Sequence, residues 1–188
     1  MTTSPRQNFN PSSLAIRVCA ESDMRAVAEI YGHYVLHSTA TFELEPPSVD
    51  EMLRRRRGIV DGGYVYLVAE ADSGIVGYAY AGAYHGRPGY RFTVENSVYV
   101  REGCAGAGLG TRLLQALLVE CEKKPFRQML AVIGDSGNHP SIELHRGRGF
   151  RMIGTLPSVG FKFGRWIDVV LMQKELGAGD RTKPSEGA

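Results

Sequence analysis

The chain is poor in the features that mark several large classes of protein. It holds three cysteines, Cys19, Cys104 and Cys121, with no CxxC pair, which excludes a disulfide framework and points to a reduced, cytoplasmic setting. No apolar run is long enough to span a bilayer, and the opening MTTSPRQNFNPSS lacks the apolar stretch of a secretory signal. Lys and Arg exceed Asp and Glu by only two (22 against 20), too small a surplus to predict nucleic-acid or membrane binding. One basic run stands out, Arg54 to Arg57, but acidic residues precede it in SVDEMLRRRRGIV, and a solvated helix face accounts for it. No HExxH motif accompanies His33 and His37; they read as a helix face, and no metal is expected.

With 43% hydrophobic residues in 188, one domain with a single core is the simplest organisation. Residues 1–13 and 177–188 are polar and read as loose tails around a domain over 14–176. Alternation predicts a strand from Leu14 to Cys19, and helical spacing of Met24, Val27, Ile30, Tyr31, Tyr34 and Val35 predicts a helix capped by Ser22. After Pro46-Pro47, Ser48 and Glu51 form a capping-box pattern for a second helix to about Val60. Strands follow over Tyr64–Glu70, Ile75–Tyr84 and Phe92–Val100, then a helix from about Gly108 to Glu122. A strand Gln128–Gly134, a short helix SIELHRGR and two last strands complete the order β-α-α-β-β-β-α-β-α-β-β. That order predicts an α/β fold of α+β type with a mixed sheet.

The stretch VENSVYVREGCAGAGLGTRLLQALL (94–118) has four glycines between residues 103 and 110. A strand, a glycine loop and a helix start form an anion site, because main-chain N–H groups turn inward and the helix end adds partial positive charge. A P-loop needs Gly-Lys-Ser/Thr, and the loop contains no lysine. A dinucleotide fingerprint needs a third glycine where Thr111 stands, after the first strand and not the fourth. What remains is a pyrophosphate cradle built from the amides of Gly106, Ala107, Gly108, Leu109, Gly110 and Thr111, or else a tight strand-to-helix connection that holds no ligand, for which a shorter turn with fewer glycines would serve.

This segment resembles the acetyl-CoA-binding core of the GNAT acetyltransferases. Together with TATFELEPP (39–47), YAYAGAY (78–84), TVENSVYV (93–100), AVIGDSGN (131–138), SIELHRGRGF (141–150) and VGFKFGRWIDVVLMQ (159–173), it is similar to the phosphinothricin and methionine sulfoximine acetyltransferase branch. The resemblance implies a GNAT-like, mostly antiparallel twisted sheet flanked by helices. It also implies acetyl-CoA as co-substrate, a small amino-acid-like amine as acceptor, and a homodimer. Two positions depart from the pattern: Ala105 stands where Gln or Arg is usual, and Ala107 where Arg is frequent. Losing a charge-assisted phosphate bond implies weaker acetyl-CoA binding. It also leaves room for another reading, a non-catalytic acetyl-CoA-binding module.

By the resemblance Glu95 is the general base, acting on the substrate ammonium; alternation alone leaves a solvent-facing glutamate equally open. The main chain of Val98, Tyr99 and Val100 is implied to hold pantetheine and the acetyl carbonyl, provided the strand is splayed there. Asn138 is implied as a pantetheine contact. His145 occupies the position of a tyrosine that often protonates the thiolate, and either that role or simple packing fits it. Arg87, Pro88, Gly89, Tyr90 and Arg91, with Phe42, Glu43 and Lys162, are the candidate acceptor pocket; Lys162 and Trp166 fit assembly equally. Cys104, near a helix N-terminus, is expected to favour a thiolate that the reaction does not need.

Overall fold

The structure, a computed structural model, describes residues 14–184. The tail expected over 1–13 lies outside the described residues. Strands β1 (Ala15–Val18), β2 (Tyr66–Ala71), β3 (Gly74–Ala83), β4 (Thr93–Val100), β5 (Gln128–Gly134), β6 (Arg151–Lys162) and β7 (Arg165–Glu175) form one sheet in the order β1-β2-β3-β4-β5-β7-β6. Every neighbouring pair is antiparallel except β4 and β5. Helices α1 (Met24–His37), α2 (Val49–Asp61), α3 (Leu109–Glu122) and α4 (His139–Arg146) fall where the sequence order puts them.

Two apolar layers enclose the sheet. On one face Met24, Val27, Ile30 and Val35 of α1 and Met52 of α2 pack on Val68, Tyr78 and Tyr99. On the other, Leu113, Leu114 and Leu117 of α3 and Ile142 of α4 pack on Ala79, Val94 and Met129. At Gly77 of β3 a Cβ would stand 2.9 Å from the Tyr99 carbonyl oxygen and 3.0 Å from Leu113, so the missing side chain lets α3 sit close on the sheet.

The caps repeat one expectation and change another. Ser48 Oγ accepts from Glu51 N at 3.1 Å and starts α2. Ser22 does not start α1: a 3-10 turn over Glu21–Asp23 precedes it, and Asp23 accepts from Ala20 N at 2.7 Å while pairing with Arg17. Three of the four arginines, Arg55, Arg56 and Arg57, hold α2 to its surroundings. Arg54 pairs with Glu51, Arg55 with Glu43 and Glu51, and Arg57 with Glu21, while Arg56 donates to the Cys19 carbonyl. Nor do contacts stop at Leu176. Arg127 donates to Gly179 O, Thr182 Oγ1 and Lys183 O, and Arg181 pairs with Glu175.

Candidate active site

Strands β4 and β5 pair over four residues, from Thr93 opposite Gln128 to Asn96 opposite Ala131. Beyond that they part. β4 continues along β3 to Val100, and β5 continues along β7 to Gly134. The gap is a cleft lined by Asn96, Ser97, Val98 and Tyr99 on one side, Ala131 to Gly134 on the other, and by Asn138, just before α4, with Ser141 and His145 of α4.

Successive main-chain groups of a strand point to opposite sides. Arg101 N donates to Val76 O of β3, and Thr93 O accepts from Tyr84 N, so the odd residues of β4 serve β3 and the even ones face the gap. Tyr99 therefore spends its amide on β3. Val100 meets the Tyr34 hydroxyl, which donates to its carbonyl at 2.9 Å and accepts from its N–H at 3.3 Å. Of the three expected main-chain contacts, Val98 is the one directed into the cleft with no β5 partner opposite it.

Glu95 lies one residue before the strands part. It shares its sheet face with Ser97 and Tyr99, and burial raises its carboxyl above the ordinary range. Among the described residues no cation pairs with it. A half-buried carboxylate of raised pKa beside an open cleft suits proton abstraction.

At the end of β4 the loop turns through Gly106 and Gly108, whose φ values of +88° and +74° belong to the left-handed region. A Cβ at either would meet nothing within 4 Å, so backbone conformation, not space, selects glycine. The first helical bond of α3 runs from Arg112 N to Gly108 O, which leaves the N–H groups of Leu109, Gly110 and Thr111 ahead of it without intrahelical acceptors. The Leu109 side chain is buried in the core, so its part in the loop is main-chain only. Cys104 is also buried, and burial raises its thiol pKa, contrary to the thiolate expected from the nearby helix end.

Asn138 caps α4: its Oδ1 accepts from Ser141 N at 3.3 Å and its Nδ2 donates to Gly134 O at 3.4 Å. His145 is buried. Its Nδ1 lies 2.8 Å from Ser141 O and its Nε2 3.0 Å from Asn96 Oδ1, while burial lowers its pKa.

The acceptor residues divide. Lys162 is 3% exposed, and its Nζ donates to Ser38 O and Thr41 O at 2.8 Å each. It pins the α1–α2 loop to the β6–β7 hairpin, which occupies two of the three donors of its ammonium. Phe42 lies over Gly160, where a Cβ would strike its ring. It lines an apolar groove with Leu44, Val159 and Phe161 that shares Val132 with the cleft. Arg87 to Arg91 form the exposed β3–β4 turn, with a 3-10 turn over Pro88–Tyr90; none of them lines the cleft. Tyr34 and Asn96 were not foreseen. Tyr34 looks like any core residue of an amphipathic helix, whereas Asn96, a polar residue at an inward strand position, was the available signal.

The sheet thus opens beyond its one parallel pair, with Glu95 at the root of the opening and the glycine loop following the end of β4. Residues 16–171 match the acetyltransferase (GNAT) domain family, and the chain belongs to that family. It is 50% identical over 169 residues to a phosphinothricin N-acetyltransferase of Alcaligenes faecalis, covering 90% of this chain and 86% of that protein. It is 39% identical over 163 residues to the L-methionine sulfoximine/L-methionine sulfone acetyltransferase of Salmonella typhimurium, covering 87% of this chain and 95% of that one. Among solved structures, the GNAT superfamily phosphinothricin acetyltransferase of Sinorhizobium meliloti, in complex with acetyl-CoA, superposes with a TM-score of 0.90 at 44% identity. The match covers 93% of this chain and 95% of that one. The expected α+β fold with its mostly antiparallel sheet is thus the observed one.

Proposed function

We propose that this chain transfers acetyl from acetyl-CoA, by direct attack, to the primary amine of a small amino-acid-like acceptor of the phosphinothricin, methionine sulfoximine or methionine sulfone type. The parting of β4 from β5 beside Glu95 carries the reading, together with the names of the relatives. The amides from Gly106 to Thr111 take the pyrophosphate, and the pantetheine arm runs along the open side of β4. The Val98 N–H meets the carbonyl oxygen that becomes the oxyanion, with no reorganisation as charge develops. Glu95 removes the ammonium proton through water, and the amine nitrogen bonds to the carbonyl carbon. The C–S bond then breaks, the thiolate takes the proton of the His145 imidazole that lines the cleft, at the loss of its bond to Asn96, and the second proton, shed by the nitrogen as the amide forms, restores the imidazole. The products are an acetamide and free CoA.

The acceptor enters from the side of Phe42 and Val132, where cleft and groove meet. The edge strand β6 exposes Met152, Ile153, Leu156, Val159 and Phe161, with Trp166 beside them on β7. An apolar edge of that extent is normally covered, and a second copy of the chain is its proposed cover.

The test is release of free CoA from acetyl-CoA with methionine sulfoximine, methionine sulfone, phosphinothricin, ordinary amino acids and polyamines, for wild type and Glu95→Gln. Release that depends on a sulfoximine, sulfone or phosphinate acceptor, and falls at least about a hundredfold in the variant, is expected. Saturable acetyl-CoA binding without turnover on any acceptor would favour the non-catalytic module.

A further inference from the structure

The hydroxyl of Tyr34 makes two bonds to one residue, donating to the Val100 carbonyl and accepting from the Val100 N–H. That pair of groups is what a neighbouring β-strand would normally satisfy. β5 has already left β4 at Asn96, and α1 supplies the substitute. The ring is held between Tyr99, with centroids 5.0 Å apart, and His33, at 5.9 Å, so the hydroxyl is aimed by packing on both sides.

On the free edge of β4, Val98 and Val100 are the two successive residues that face the gap, and Tyr34 occupies the second. Resting on the reading that the pantetheine arm runs along this edge, we propose that the Tyr34 hydroxyl is a placeholder. It satisfies Val100 in the free protein and yields Val100 to an amide of the arm when acetyl-CoA binds. Tyr34 is then a positioning residue: it touches no reacting atom, and it keeps a strand edge polar and straight in the absence of its ligand. An edge so protected resists collapse onto β5, and its release is a cost subtracted from the affinity for the acyl donor.

The placeholder has a thermodynamic signature distinct from a plain structural bond. Tyr34→Phe removes the hydroxyl and keeps the ring packing. If the bond exists in the free protein alone, the variant destabilises that state and leaves the CoA complex unchanged, so binding tightens by the same factor. A single neutral hydrogen bond sets that factor at about fivefold. Calorimetric Kd values for CoA, with unfolding temperatures measured free and CoA-saturated, decide the matter. The expected result is a Kd about fivefold lower, a lower melting temperature for the free variant, and equal melting temperatures at saturation. An unchanged or higher Kd, with the same drop in melting temperature free and bound, would show that Tyr34 keeps Val100 in the complex and would overturn the proposal. If wild type itself binds no CoA, the reading of the cleft fails instead, and the two failures are distinct.

Discussion

The Nε2 atom of His145 stands 3.0 Å from Oδ1 of Asn96, and both residues face carbonyl oxygens on their far sides, Ser141 O at 2.8 Å and Leu130 O at 2.8 Å. A carbonyl only accepts, so Nδ1 of the imidazole and Nδ2 of the amide must donate. Oδ1 then faces Nε2, and the chain of bonds is complete only when Nε2 also carries a proton. Turning the amide over moves the conflict to Leu130. Burial acts the other way and pushes the imidazole pKa down. Hydrogen bonding and desolvation therefore pull this proton in opposite directions, which suits the acid role proposed for His145.

The net shift is downward from 6.5. Below that pH the unfolded chain binds more protons at this histidine than the folded one, so its contribution to stability falls as pH drops through 6.5 toward the folded value. Asn96→Asp places a carboxylate on Nε2 and should raise the His145 pKa, flattening that fall. NMR titration of the imidazole in both proteins checks it, and an unmoved pKa would show that the two side chains do not couple.

Burial sets the Glu95 carboxyl above its usual 4.5. In the base role proposed for it the carboxyl works ionised, so kcat/KM should fall on the acid side with an apparent pKa above that value. Glu95→Gln should lose at least about a hundredfold in kcat/KM and the acid limb with it. A variant that keeps the limb would assign it to another group.

Lys162→Met leaves the carbonyls of Ser38 and Thr41 without their donor. Urea unfolding should show a loss of about 1–3 kcal/mol, the cost of unsatisfied buried acceptors. The KM for acceptor should change less than the stability does, since the ammonium is spent on the loop. A large KM increase in a variant of unaltered stability would return Lys162 to the acceptor pocket.

Ala107 is exposed in the open glycine loop. Ala107→Arg should tighten acetyl-CoA binding several-fold, because a guanidinium adds a charge-assisted phosphate bond, and should steepen its salt dependence. Calorimetry at two ionic strengths reads both, and an identical Kd would mean that the main chain alone sets the affinity.

Much of this molecule is legible in its residues. The order of all eleven elements follows from periodicity, and Ser48 announces α2 because its capping bond is local. The glycine loop was legible because positive φ values demand glycine. What escaped depends on contacts distant in the chain. Lys162 is 121 residues from the Thr41 carbonyl it holds, and no local pattern distinguishes it from a surface lysine. Tyr34 is 66 residues from Val100 and sits on an apolar helix face that packing alone explains. Asp23 displaced Ser22 at the start of α1 because Arg17 lies across from it, a tertiary term that cap preference omits.

The sheet behaves mechanically as two plates. One comprises β1 to β4, the other β5, β7 and β6, and the strand ladder that joins them runs over only four residue pairs, from Thr93 to Asn96. So short a seam resists shear well and torsion poorly. A molecule seated above Asn96 adds rungs where the ladder has none, so donor binding should stiffen the twist of one plate against the other. Stiffening of this kind favours an ordered sequence in which the thioester seats first, and the acceptor meets a carbonyl already held still.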